Sequence, residues 1–151
     1  MQAADADAVA AWRYEPPYDF YDTAADPSSL MEVLDAGRWG DTYFSVCSAP
    51  EAGPSELVGF LGLTPLRSGE LEIGLGLRPD LTGLGLGLKF VEACLDFARS
   101  RFDRTSFVLH VATFNRRART VYERAGFVAQ ETSYRHLSGR RWEFLRMSRP
   151  A

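Results

Sequence analysis

The stretch RPDLTGLGLGLKF, residues 78–90, carries three glycines in alternation with leucines: Gly83, Gly85 and Gly87. Glycine loses more conformational freedom on folding than any other residue, so this density asks for a reason. Anion binding supplies one. Backbone N–H groups at the start of a helix point outward, and the positive end of the helix attracts an anion by roughly 0.3–1 kcal/mol per charge. Without Cβ atoms the backbone can close on a pyrophosphate. Neither common nucleotide motif fits. A dinucleotide fingerprint needs G-x-G-x-x-G, whereas this loop reads G-x-G-x-G, and a P-loop needs Ser or Thr after its lysine, whereas Phe90 follows Lys89. The plain alternative is a glycine turn that packs a helix against a sheet.

A second constellation lies in VATFNRRARTVYERAGF, residues 111–127. Asn115 ends an apolar run, and Tyr122 follows two helical turns later on roughly the same side. Asn115 suits a helix cap, and Tyr122 alone reads as a core tyrosine. Glu70 and Glu72 are two residues apart, hence same-face neighbours on a strand. His110 is a lone histidine in an apolar strand, a setting that favours a packed, hydrogen-bonded ring. The RRAR run at 116–119 reads as a solvated helix face.

These groups need elements to hold them. Residues 5–13 read as a short helix with Asp5 and Asp7 in its first turn, stopped by Pro16 and Pro17. Residues 27–37 read as a second helix, capped by Ser28 or Ser29 and ended by Gly37. Strands are expected at 42–49, 56–64 and 69–77, the first two joined by PEAGPS. The glycine loop follows, then a helix from about 85 to 101 with Phe90, Val91, Cys94, Leu95 and Ala98 at helical spacing. A strand at 106–113 precedes a helix at 115–127, where Gly126 sits at the left-handed cap. AQETSYRHL and RWEFLRMS form a closing hairpin across Ser138-Gly139.

With 151 residues, no repeat and no linker, the chain is expected to be a single domain, 1–151. A net charge of −3 argues against a nucleic-acid partner. No run approaches a membrane span, and the N-terminus lacks the pattern of a secretory signal, so no membrane partner and a cytoplasmic location are expected. Cys47 and Cys94 match no metal or redox spacing and read as two buried thiols, with no metal.

The pair RPDLTGLGLGLKFVEACLDFAR and N-x-x-A-x-x-x-Y-x-x-x-G-F, the latter from Asn115 to Phe127, resembles the GNAT superfamily of acetyl-CoA-dependent N-acetyltransferases. The order of elements over residues 40–148 agrees, and DADAVAAWRYEPPYDFYD at the start resembles a bacterial branch of the superfamily. In the family's loop pattern, [QR]-x-x-G-x-[GA], Gly85 and Gly87 take the small positions. Thr82 takes the leading one, a departure that keeps a hydroxyl but loses the long side chain.

The resemblance implies an α+β fold in αβα layers, with a mixed, mostly antiparallel sheet and helices on both faces. Two central strands, 70–77 and 106–113, are then expected to splay. The family opens with a strand before its first helix; this chain opens at the helix. Either that strand is absent or the true start lies upstream; an absent strand would leave a sheet edge exposed to pairing between chains. Monomer and homodimer both remain open.

Acetyl-CoA is the implied co-substrate. Backbone groups of Leu75, Gly76 and Leu77 are expected to pair with its pantetheine arm as an added strand. Thr82 and the amides of Gly83, Leu84, Gly85, Leu86, Gly87 and Leu88 are expected at the pyrophosphate, Asn115 near the pantetheine, and Arg117, beside Arg116 and Arg119, at the 3′-phosphate. An amide near Leu77 polarises the thioester carbonyl. Tyr122 becomes the candidate general acid, since a phenol with a pKa near ~10 stays protonated at neutral pH. Glu72 becomes the candidate base, through water, and a substrate contact; His110 is its rival and His136 a weaker one. The implied partner is an amine-bearing small molecule or peptide, attacking directly in a ternary complex. Tyr18 and Tyr21, within the cluster Trp12, Tyr14, Tyr18, Phe20 and Tyr21, are candidate acceptor contacts, with Asp19 and Asp22 suiting a cationic amine. The alternative function is an acyl-CoA sensor without catalysis.

Overall fold

The computed structural model describes residues 1–49, 51, 53–137 and 139–151. Pro50 and Ala52 of the expected first link, and Ser138 of the expected hairpin turn, lie outside the described residues. Ten regular elements are described: α1 (Ala3–Ala11), α2 (Pro27–Leu34), β1 (Tyr43–Cys47), β2 (Leu57–Pro65), β3 (Leu71–Leu77), α3 (Gly87–Arg101), β4 (Ser106–Ala112), α4 (Arg116–Arg124), β5 (Val128–Leu137) and β6 (Arg140–Pro150). The strands form one six-stranded open sheet in the order β1-β2-β3-β4-β6-β5. Pairing is antiparallel for β1/β2, β4/β6 and β5/β6 and parallel for β3/β4. This is the expected mixed, mostly antiparallel α+β architecture. The chain divides into two compact units, Met1–Gly62 with Leu75–Thr82, and Leu63–Gly74 with Gly83–Ala151.

In the first unit, Ala6 and Val9 of α1, Val33 of α2 and Tyr43 of β1 form a small buried core, against which Trp12, Trp39, Leu57 and Phe60 pack. Tyr43 and Phe60 stack with ring centroids 5.7 Å apart. The α1 helix ends before Trp12 and Arg13, earlier than the expected 13. The cap of α2 is Asp26, not Ser28 or Ser29: its carboxylate accepts from the Ser29 amide at 2.9 Å. Both serine hydroxyls donate to the same carboxylate. Pro27, preset for a helix and needing no amide partner, occupies the first helical position and leaves the cap to the residue before it. Gly37 does not end α2, which stops at Leu34; it lies in a separate 3-10 turn, where its amide donates to Asp35.

In the second unit, α3 buries Phe90, Val91, Cys94, Leu95 and Ala98, as its spacing predicts. Phe107, Val108 and Leu109 are consecutive and all buried, the continuous apolar run of a central strand covered on both faces. α4 closes with Gly126 at a φ of 86°, the left-handed conformation read from sequence, and the Arg149 guanidinium donates to the Ala125 carbonyl there. β5 is an edge strand, and its first nine residues are exposed.

The two cysteines differ. Cys94 is buried, and burial pushes its thiol up to about 12. Cys47 is exposed, against the sequence expectation: it is the last residue of β1, where the β1/β2 register slips, while the buried residues of the strand are at its start, Tyr43 and Phe44.

Candidate active site

The glycine loop joins β3 to α3, after a 3-10 turn at Pro79–Leu81. Gly83 and Gly85 take φ values of 77° and 78°, and a Cβ on either would meet nothing within 4 Å. These glycines are needed for backbone conformation on an open side, not for packing. Gly87 is different, because a Cβ there would lie 3.0 Å from Val121 Cγ2 of α4. The third glycine therefore does the packing job of the plain alternative, and the first two do not. Among the described residues, no hydrogen bond runs from the amides of Gly83 through Leu88. Leu86, right-handed after left-handed Gly85, continues into the helix. Successive amides in such a turn form an anion-binding concavity. The hydroxyl of Thr82 donates to the Pro79 carbonyl at 2.7 Å, so its hydrogen stabilises the turn.

The β3/β4 ladder pairs Leu71 with Phe107 and Glu72 with Val108. Beyond it, the Glu72 carboxylate reaches His110, with Oε1 2.8 Å from Nδ1. Both side chains keep a solvent-facing part, 33% for Glu72 and 20% for His110, which suits proton exchange with an arriving molecule. The His110 hydrogen bond holds the Glu72 carboxyl below the usual carboxylate range, overcoming burial, with help from the charges of His110, Arg135 and Arg146. Arg146 lies opposite His110 in the β4/β6 register and binds Glu70 at 2.7 Å. That bond, with one from Ser68, lowers the Glu70 carboxyl as well. The rival candidates Glu72 and His110 are thus one hydrogen-bonded pair beside a second ion pair. His136 is exposed on β5, opposite Arg141.

Asn115 is buried and caps α4, its side-chain oxygen accepting from the Ala118 amide at 3.0 Å. Tyr122 is half-buried on α4, its ring edge-on to Phe127 at 6.0 Å. Arg116, Arg117 and Arg119 occupy the first turns of α4. Cations are disfavoured at that end of a helix, so their clustering is not explained by helix stability. Arg116 and Arg117 are exposed.

In the first unit, Leu75, Gly76 and Leu77 form the end of β3. A Cβ on Gly76 would collide with the Phe60 ring, so glycine lets that ring lie against the strand. The Tyr14 hydroxyl donates to the Leu77 carbonyl at 2.8 Å, and the Tyr14 amide donates to Asp22. Tyr18 and Tyr21 are half-buried in a 3-10 turn, with Tyr21 edge-on to Phe20 at 4.9 Å.

Sequence reasoning misses Arg146 and Arg135 as neighbours of Glu72, and Tyr14 as the partner of Leu77. Cross-strand register between distant segments leaves no local signal, and Tyr14 stands out only as one aromatic among five.

The sheet order and the strand-loop-helix arrangement at the glycines define an acetyltransferase-type α+β fold. A sequence model of the acetyltransferase (GNAT) domain matches residues 1–128, and the chain belongs to that family. A chimera of spermidine N-acetyltransferase SpeG from Vibrio cholerae and hSSAT superposes with a TM-score of 0.74 at 20% identity, over 99% of this chain and 92% of that one. Mutant forms of the spermidine/spermine N-acetyltransferase SpeG from Vibrio cholerae give 0.58 at 24%, over 65% of this chain and 59% of theirs. YncA, a putative acetyltransferase from Salmonella typhimurium solved with its cofactor acetyl-CoA, gives 0.55 at 19%, over 62% of this chain and 58% of its own. The chain thus spans less than two thirds of the SpeG mutant forms and of YncA. A search of curated protein sequences finds no match. No helix among the described residues is long and apolar enough to cross a membrane.

Proposed function

We propose that the chain, as one catalytic domain, transfers an acetyl group from acetyl-CoA to a primary amine of a small molecule or protein. The observation that carries this is the run of amides from Gly83 to Leu88 at the head of α3, with two left-handed glycines facing open space. That cradle fits a pyrophosphate and would be spoiled by side chains. The arginines in the first turns of α4 support a second anionic contact, to the 3′-phosphate, by Arg117 above all.

When bound, acetyl-CoA supplies a thioester whose acyl carbon accepts the amine and whose sulfur leaves as thiolate. Leu75, Gly76 and Leu77 offer strand-edge groups to the pantetheine arm, and Asn115 holds the start of α4 in position. Tyr122 donates its phenolic proton to the departing sulfur. Glu72 belongs to the machinery that takes the amine's proton. Tyr18 and Tyr21 contact the acceptor. The SpeG neighbours are spermidine N-acetyltransferases, which puts spermidine first among the amines to screen.

The test is the thermal midpoint with acetyl-CoA, NAD and ATP in parallel. A ligand at 100 times its Kd adds about 2.7 kcal/mol. A shift with acetyl-CoA alone is expected; no shift in a folded sample overturns the proposal.

A further inference from the structure

We infer that His110, not Glu72, accepts the proton of the incoming amine, and that Glu72 is a positioning residue that fixes the imidazole through its Nδ1. The inference rests on the acetyltransferase reading and deepens it. The geometry is a 2.8 Å contact between Glu72 Oε1 and His110 Nδ1, from adjacent parallel strands. A carboxylate that titrates below its usual range is ionised at neutral pH and only accepts hydrogen bonds. Nδ1 therefore carries the hydrogen. In the neutral ring that leaves the lone pair on Nε2, ready to take a proton.

The same facts weaken Glu72 as the base, because a depressed carboxyl binds a proton poorly near neutrality. The ring nitrogen opposite the held Nδ1 keeps a lone pair for the task. The charged groups around His110 keep the balance. Glu72 and Glu70 face it from β3, Arg146 from β6, and Arg135 and Glu131 stand on β5. Arg146 is bound to Glu70 at 2.7 Å, with Glu131 at 3.9 Å, so its charge is largely answered.

The proton count closes. The ammonium gives one proton to His110 Nε2, which passes it to solvent. The nitrogen-to-acyl bond forms and the carbon–sulfur bond breaks. The thiolate takes the Tyr122 proton, and the second proton leaving the nitrogen returns to Tyr122 through water. One proton is released per turnover.

The experiment uses the full chain, 15N-labelled, and follows the His110 ring nitrogens by NMR against pH. The acid limb of kcat/KM is measured in parallel, with acetyl-CoA and the fastest of spermidine, tyramine and an alanyl peptide. Wild type is expected to show a protonated Nδ1 and a bare Nε2 above the His110 midpoint, with the acid limb tracking that midpoint. In Glu72→Gln the carboxylate is gone, the imidazolium loses its partner, and both the midpoint and the acid limb are expected to move to lower pH together. His110→Gln is expected to lose roughly 10²-fold or more in turnover. Its acetyl-CoA thermal shift should remain, which shows that the variant is folded. An acid limb that stays put while the His110 midpoint moves, or full activity in His110→Gln, overturns this inference alone. No acetyl-CoA shift in wild type overturns the acetyltransferase reading beneath it.

Discussion

The hydroxyl of Tyr14 donates to the carbonyl of Leu77 at 2.8 Å, tying the loop after α1 to the last residue of β3. Leu77 ends the segment proposed to meet the pantetheine arm, so Tyr14 holds part of that proposed edge. Tyr14→Phe removes one partly buried hydrogen bond and is expected to cost about 1 kcal/mol in urea unfolding. Steady-state kinetics are expected to show a raised KM for acetyl-CoA with kcat nearly unchanged. A drop in kcat alone would assign Tyr14 a different role.

Tyr122→Phe keeps the ring against Phe127 and deletes only the hydroxyl, the proposed acid. Turnover is expected to fall by about 10²–10⁴-fold while the thermal shift with acetyl-CoA persists. Equal activity in the variant across pH would remove Tyr122 from the proton path.

Two glycines of the loop, Gly85 and Gly87, are predicted to fail for different reasons. Gly85→Ala forces a Cβ into a left-handed conformation, at a cost of roughly 1–2 kcal/mol, with no neighbour struck. Gly87→Ala presses on Val121 across the α3 and α4 helices and is expected to destabilise by about 1–3 kcal/mol through overpacking. Val121→Ala in the Gly87→Ala background should restore part of the stability, whereas it should do nothing for Gly85→Ala. Urea midpoints of the four proteins decide this.

Asp26 carries a pH signature. The Ser28 hydroxyl, and then the Ser29 groups, hold its carboxyl below the usual range against burial. A carboxyl lowered in the folded state stabilises the fold above its unfolded pKa, and that contribution is lost as pH falls through the lower folded value. Asp26→Ala is expected to cost about 1 kcal/mol at pH 7. The difference from wild type should shrink in acid, below the ordinary aspartate range. Thermal midpoints of both proteins from pH 7 to pH 3 test the sign.

Local features are legible in the amino-acid sequence alone. Gly126 and Asn115 mark the ends of α4 because capping acts within one helical turn. The buried stripe of α3, the glycine loop between strand and helix, and the mixed sheet follow from spacing and family resemblance. Where two local rules compete, the reading slips: Ser28 and Ser29 have the residue type of caps, but Pro27 leaves that position to Asp26.

Long-range relationships are decided only by the tertiary structure. Glu72 and His110 are 38 residues apart, and Glu70 and Arg146 are 76 apart. Each residue type can be singled out alone, yet their pairing depends on the register of β3, β4 and β6, where a one-residue slip would turn every side chain to the other face. Register also explains Cys47, which by composition reads as buried as Cys94 but stands at the end of β1 where the ladder slips. The sequence by itself determined the elements, the two ends of α4 and the place of the glycine loop, because those obey short-range rules. The pairing of Glu72 with His110 required the folded sheet, because only there do this carboxylate and imidazole come within 2.8 Å.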